Sequence, residues 1–372
     1  MNKIIGRVMF FLFLIASFVQ SQTSTDCENE KCFNMDSLTA HIIKTLKGNC
    51  TGFGFVIYKD GSLKKEIAFG RKRLKADGGA EKFDLNSKMH IASMSKTLTA
   101  ICVLKQLAQD NLSTYTFISE YLPKNWVQGP NVDKITFRRL MRHEAGIRVT
   151  ADKETNGETF EQLKGKIQEG VLADSIDVAQ YQNMDFAMMR ILLPRIEGFN
   201  LPEEKRPAFV ADKYTAYVKE NIFKTCDLTD ENTFPSETEP VHNYNWPYKG
   251  GHGQLFYDYT LSCGAYGWYL SVSDYGKIIN KLFNTEELLN TAWRDTMTTN
   301  ELGCFAYKGR HGKYFWHNGG WEWSDNNGSG SANTCWMYFP NNVIVVAMVN
   351  SDIPEWFPDI LAHAYDKAWV KE

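Results

Sequence analysis

Three short clusters of polar residues have the types and spacing needed to attack a carbonyl carbon. In Ser93-Met94-Ser95-Lys96 a hydroxyl opens a run with helical spacing and an amine follows one turn later. Residues three apart share a helix face, so the two groups are neighbours. A helix amino terminus favours developing negative charge, and a lysine removed from water gives up its proton readily, which together make an activated nucleophile. The spacing alone is weak, because Ser62-Leu63-Lys64-Lys65 repeats it beside an Asp-Gly turn, where solvated polar residues are the better reading. A capping serine followed by a surface lysine is the plain alternative for Ser93.

Tyr181-Gln182-Asn183 is the second cluster. A tyrosine beside an ammonium can pass a proton to a leaving group, and an asparagine amide can orient a substrate carbonyl. The third is His317-Asn318-Gly319-Gly320, at the expected end of a strand. Consecutive glycines let backbone approach a ligand, so an N–H there could pair with that of Ser93 as an oxyanion hole. Packing tyrosines and glycine turns explain either cluster taken singly. Trp316, Trp321 and Trp323 crowd the third segment, either lining an acyl pocket or filling core.

The surrounding pattern supplies elements to position these groups. Residues 35–48 read as an amphipathic helix, with Leu38, Ile42, Ile43 and Leu46 on one side. Gly52 to Lys59 and Leu63 to Phe69 read as a hairpin through Asp60-Gly61. From Ser93 to about Asp110, Met94, Leu98, Ile101, Cys102, Leu104 and Leu107 recur at helical spacing. Further helices are expected at Phe137 to Arg142, Phe160 to Glu169, Phe186 to Ile196, Tyr214 to Phe223 and Val272 to Leu282. Strands return at Tyr314 to His317, Thr334 to Phe339 and Val343 to Val349, the last two joined by Pro340-Asn341-Asn342, before a helix from about Pro354 to Val370. Strands at both ends of a helical middle predict an α/β (α+β) chain with a sheet lobe from about 35–92 and 300–372 and an inserted helical lobe from about 93–299.

The three clusters, in this order on helix start, loop before helix and late strand, resemble the serine beta-lactamase and penicillin-binding-protein superfamily. The similarity is greatest to the class C beta-lactamase-like branch, with its D-peptidases and family VIII esterases, which uses a tyrosine in the second motif and often a histidine in the third. Met89-His90-Ile91-Ala92, the stretch Ile135 to Gly146 ending in His143-Glu144-Ala145-Gly146, and Gly264-Ala265-Tyr266-Gly267-Trp268 before Ser271-Val272-Ser273-Asp274 extend the resemblance from about residue 35 to the end. It implies a beta-lactamase/transpeptidase-like fold, an antiparallel sheet flanked by helices. It further implies Ser93 as nucleophile, Lys96 and Tyr181 sharing acid and base work, Asn183 positioning substrate, Gly319 and Gly320 in the third motif with Gly320 completing the oxyanion hole, and His317 shaping the pocket. The wider superfamily has a lysine where His317 stands, and histidine is charged only below about pH 6.5. Ester and peptide substrates are therefore expected ahead of beta-lactams, in a cofactor-free serine hydrolase. A catalytically silent binding protein and an acyltransferase on the same fold are the rival readings.

Composition fits a folded enzyme: hydrophobic residues are 43% and aromatics 13% of 372 residues. With 41 basic against 44 acidic side chains, no charge excess favours nucleic acid, and a small molecule or peptide is the expected partner. Lys3 and Arg7 precede the apolar run Met9 to Val19, and small or polar residues follow, which reads as a signal peptide over residues 1–21 and a secreted or periplasmic domain over 22–372. The run falls short of the roughly 20 apolar residues of a spanning helix, so no membrane span is expected in the mature chain. All eight cysteines lie beyond the cut, where an oxidising compartment favours disulfides. Cys27 could pair with Cys32 or Cys50 and Cys304 with Cys335, while Cys102 on an apolar helix face is expected to be a free thiol. No cysteine or histidine spacing supports a metal site.

Overall fold

The computed structural model describes residues 26–148, 158–200, 206–325 and 328–371. The expected signal segment lies outside them. Its amino-terminal part carries β1 (Cys27–Glu28), β2 (Lys31–Phe33), helix α1 (Met35–Leu46), β3 (Gly52–Lys59), β4 (Ser62–Arg73), β5 (Glu81–Lys82) and β6 (Met89–His90). Helices dominate the middle: α2 (Ser95–Gln109), α3 (Phe137–Met141), α4 (Phe160–Glu169), α5 (Asn183–Ile196) and α6 (Arg206–Val218), then β7 (Tyr269–Leu270), α7 (Val272–Asn284) and α8 (Thr291–Thr299). β8 (Phe305–Gly309), β9 (Gly312–Asp325), β10 (Gly328–Phe339), β11 (Val343–Val349), α9 (Phe357–Lys367) and β12 (Trp369–Lys371) complete the chain.

Seven strands form one antiparallel sheet in the order β5-β4-β3-β11-β10-β9-β8, so strands from both ends of the sequence meet at the β3–β11 junction. Both faces are covered. Phe53, Phe55 and Ile57 of β3, with Val343, Val345 and Ala347 of β11, bury against Leu38, Ile42 and Leu46 of α1 and Ile360, Leu361 and Ala364 of α9. The intervening residues Val56, Tyr58, Ile344, Val346 and Met348 join the second core, built with α2, α5 and α7. Alternation of period two thus feeds two cores, and β3 and β11 read as continuous apolar runs because neither face meets water.

The β3–β4 hairpin turns through Asp60 and Gly61, whose φ values of 50° and 75° match a turn needing left-handed backbone at both positions. Strand β9 is far longer than expected. It runs through both glycines of the third cluster because β10 pairs with it continuously from Phe315↔Tyr338 to Asp325↔Gly328. The final helix is correspondingly shorter than expected, and Trp369 to Lys371 instead pair with β2.

Cys27 and Cys32 form a disulfide across the β1–β2 hairpin, one of the two pairings expected for Cys27. The expected Cys304–Cys335 bridge does not form. Cys304 lies in the core on the α2 side of the sheet and Cys335 in the core under α1 and α9, so the sheet separates them. Cys102 is a buried free thiol, as its place on α2 predicts.

Candidate active site

Ser93 lies in a single 3-10 turn, Ala92–Met94, between β6 and α2, two residues ahead of the first residue of the helix rather than within its first turn. Its neighbour Ala92 has φ 47°, a left-handed conformation that costs a side-chain-bearing residue free energy and persists only where packing enforces it. Three contacts do so. The Ile91 N–H donates to the Trp268 carbonyl at 3.0 Å, the Thr334 hydroxyl donates to the Ile91 carbonyl at 2.9 Å, and β9 presses on the turn at Gly319. A Cβ on Gly319 would stand 2.4 Å from the Ile91 oxygen and 2.9 Å from the Ala92 Cβ. Gly320 meets no such obstacle, and its backbone opens onto the cleft that holds Ser93.

Lys96, one turn along, is fully buried. Its Nζ donates to Ser93 Oγ at 3.0 Å, to Asn183 Oδ1 at 2.8 Å and to the Ala265 carbonyl at 2.9 Å. Burial pulls the ammonium down to about 7, against the opposing pull of the Glu158 carboxyl. Near neutral pH this amine therefore exists in both forms, and its neutral form can take the Ser93 proton.

The second cluster straddles the start of α5, with Gln182 as the residue before the helix and Asn183 as its first residue, three earlier than the periodicity suggests. Tyr181 is half exposed as a residue, yet its hydroxyl is enclosed beside Ser93, and Lys96 Nζ sits 4.8 Å from its ring centroid. Burial pushes the phenol up to about 12, the interaction with Ser93 pulling the other way, so the hydroxyl keeps its proton at neutral pH.

His317 is buried on β9, and its Nδ1 lies 2.7 Å from the Asn318 carbonyl, which assigns the ring proton there. Burial, then the charge of Lys96, pulls its pKa down to about 3. The third motif thus presents a neutral ring. β8 pairs with β9 only as far as Phe305↔Trp316, so among the described residues the β9 edge beyond His317 has no strand partner on that side. Here the chain passes a cleft of about 370 Å³ lined by Ser93, Tyr181, Phe305, Asn318 and Gly320, with Trp316 and Trp356.

The three expected tryptophans part company. Trp316 lines the cleft and meets the half-exposed Trp356 edge-on at 5.1 Å. Trp321 instead packs edge-on against Tyr266 at 4.9 Å and His90 at 5.3 Å, and Trp323 packs against the core. Sequence reasoning missed His143, Glu158, Asp185, Phe305 and Trp356 as neighbours of the site. His143 stands in a stretch that carries the family resemblance, and Asp185 follows Asn183 by two. Glu158 and Trp356 carry no local signal, since only the fold brings them in.

A seven-stranded antiparallel sheet backed by helices, with Ser-x-x-Lys leading the helix at its centre, is the architecture of serine beta-lactamases and penicillin-binding proteins. The structure is similar to an octameric penicillin-binding protein homologue from Pyrococcus abyssi, at TM-score 0.67 and 17% identity over 90% of this chain and 76% of that one. It is similar also to a beta-lactamase/D-alanine carboxypeptidase from Pseudomonas syringae (TM-score 0.66, 14% identity, 89% and 98% of the two chains). A D-amino acid amidase from Ochrobactrum anthropi is comparably alike (TM-score 0.64, 14% identity, 89% and 96%). No curated protein matches the sequence. The beta-lactamase family model matches residues 35–368, and the chain belongs to that family.

Proposed function

We propose that the protein is a serine hydrolase that forms an acyl-enzyme on Ser93 with an ester, amide or lactam carbonyl. The observation that carries this reading is the buried Lys96 Nζ, 3.0 Å from Ser93 Oγ, with burial holding its ammonium near 7. Neutral Lys96 takes the hydroxyl proton as Oγ attacks the carbonyl carbon. The oxyanion is received by the backbone N–H groups of Ser93 and Gly320. Tyr181 gives its proton to the departing oxygen or nitrogen and recovers one from the Lys96 ammonium. Water then attacks the acyl carbonyl, with the same groups reversing their roles and releasing Ser93. Asn183 holds Lys96 in register through its Oδ1 and positions the substrate.

Esters and peptides suit the site better than beta-lactams. A neutral His317 supplies no fixed positive charge for a carboxylate beside the reacting carbonyl. The leader-like pattern of residues 1–21 and the Cys27–Cys32 disulfide support action outside the cytoplasm.

Intact-protein mass spectrometry tests the reading, with wild type and Ser93→Ala exposed to a fluorophosphonate, a penicillin and p-nitrophenyl acetate. An adduct on wild type that is missing from Ser93→Ala is expected, with the ester reacting faster than the penicillin. Folded wild type that reacts with none of the three refutes a working nucleophile and leaves a binding protein.

A further inference from the structure

His143 binds the backbone N–H of each residue that flanks Tyr181, and it also packs on the tyrosine ring. Its carbonyl accepts the Gln180 N–H at 2.8 Å, and its ring Nδ1 accepts the Gln182 N–H at 3.2 Å. The imidazole and phenol centroids lie 4.4 Å apart, with Lys96 Nζ 4.8 Å from the same phenol ring. The backbone of His143 is left-handed, at φ 59°, directly after α3, and its own N–H is fixed by the Leu140 carbonyl at 3.1 Å. Such geometry serves a purpose here: a residue leaving a helix in this conformation turns its carbonyl and its side chain toward one strand of chain.

Asp185, fully buried on α5, places Oδ2 3.2 Å from the same Nδ1, and its Oδ1 has no hydrogen-bond partner. With Nδ1 already accepting the Gln182 N–H, a charged carboxylate there would face a lone pair. A protonated carboxyl removes that repulsion and shares the lone pair with the Gln182 N–H as a bifurcated contact. Burial indeed pushes the Asp185 carboxyl well above its usual range, although Lys96 and Arg148 pull it down, and burial takes His143 down to about 3. The charged and titratable groups acting on His143 are Lys96 from α2, Asp185 from α5 and His317 from β9, and none of them supplies His143 with a charged acceptor. The ring is therefore neutral, with its proton on Nε2.

Building on the acyl-enzyme reading, we propose that His143 is the positioning residue for Tyr181, clamping the chain on both sides of the tyrosine and backing its ring so that the hydroxyl stays on Ser93. Asp185 supports the clamp by sharing the single Nδ1 lone pair with the Gln182 N–H, both at 3.2 Å. Neither residue exchanges a proton with substrate. Their effect passes through the orientation of the phenol, which has one exposed flank and would otherwise swing toward solvent.

Two substitutions separate the ring from the acceptor. His143→Asn keeps an oxygen near the Nδ1 position and tolerates left-handed backbone, whereas His143→Phe keeps the ring and loses the acceptor. With p-nitrophenyl acetate, His143→Phe should cut the acylation rate by about tenfold or more at unchanged KM, since small misplacements of catalytic groups are costly. His143→Asn should recover most of the loss. In a Tyr181→Phe background, His143→Phe should change the rate less than about twofold, because both substitutions act through one hydroxyl. Asp185→Asn, a neutral isostere, should leave the pH midpoint of acylation in place. A downward shift would mean that Asp185 is ionised and would overturn its assigned role.

NMR of ring-labelled tyrosine reads the clamp without turnover. Tyr181 should titrate near 12 in wild type and His143→Asn, and fall toward the ordinary value of about 10 in His143→Phe. Additive losses in the double variant, or a Tyr181 titration that ignores His143→Phe in protein with wild-type thermal stability, would overturn the proposal. If wild type forms no acyl-enzyme while the titrations behave as described, the acyl-enzyme reading fails and the clamp stands.

Discussion

Gly319 rests on Ile91 so closely that an added Cβ would lie 2.4 Å from the Ile91 carbonyl oxygen. Strand β9 thereby holds the turn that carries Ser93, whose preceding residue is left-handed. Gly319→Ala must push either the strand or the turn, and the Ile91 carbonyl with the Thr334 hydroxyl at 2.5 Å leaves little room to yield. A loss of about 1–3 kcal/mol in stability is expected from overpacking, with acylation at least about a hundredfold slower. Gly320→Ala, which meets nothing within 4 Å, should keep wild-type stability. Thermal unfolding and single-turnover kinetics of the two variants give the comparison, and equal stability loss in both would contradict the asymmetry.

Acylation should rise with pH through about 7 as Lys96 loses its proton. His143 and His317, both near 3, and Tyr181, near 12, leave the interval from about 5 to 9 to the lysine. The sign for stability follows from the same shift. Lys96 is depressed in the folded protein relative to its unfolded value of about 10.5, so between about 7 and 10.5 the unfolded chain binds more protons and folding gains stability as pH rises. Lys96→Met should abolish the pH dependence of fluorophosphonate labelling together with most of the labelling itself, and flatten the stability profile over that interval. A midpoint that follows His317→Gln instead would assign the titration to the histidine.

The clusters of the candidate site were legible because they are local: Ser93 and Lys96 share one turn, and Tyr181 and Asn183 flank one helix start. Their environment was not. Whether a serine-lysine pair is solvated or catalytic depends on burial, and Lys96 is enclosed by Asn183 and Ala265, 87 and 169 residues away in sequence. The strand expected over Tyr314 to His317 continues through Gly319 and Gly320, where glycines weaken the local strand signal and pairing with β10 carries it on. In the structure Gly319 is demanded by contact with a different element, which no local pattern reports. Likewise Cys304 precedes β8 and Cys335 lies on β10, and they enter the cores on opposite faces of the sheet, which spacing alone could not tell. The period-two signal at β3 and β11 was masked by burial on both sides.

Trp316 and Trp356 meet edge-on at the wall of the cleft, and Trp356 is 53% exposed. An exposed tryptophan that packs on little else offers its area to a substrate. Trp356→Ala should lower kcat/KM for p-nitrophenyl phenylacetate by about tenfold while leaving p-nitrophenyl acetate within about twofold, in line with the value of apolar contacts to substrate side chains. An equal effect on both esters would show that the ring supports the site rather than its selectivity. Trp321→Phe should instead destabilise the protein, since that ring packs on His90 and Tyr266 away from the cleft.

Asn183 offers a way to move the Lys96 titration in both directions. Its Oδ1 accepts from Lys96 Nζ at 2.8 Å, a bond that favours the ammonium, while its amide lies beside the buried Glu158 carboxyl. Asn183→Ala removes the acceptor and leaves the burial, so the acylation midpoint should fall below 7 even as the rate at saturating pH drops. Asn183→Asp adds a negative charge within hydrogen-bond reach and favours the ammonium, so the midpoint should climb above 7 and acylation at neutral pH should fall by about tenfold or more. Opposite displacements from one position are hard to obtain from general loosening of the fold, which would move both variants the same way. Stopped-flow release of p-nitrophenol between about pH 5 and 10 measures them, and shifts of the same sign would exclude Lys96 as the group whose proton limits acylation.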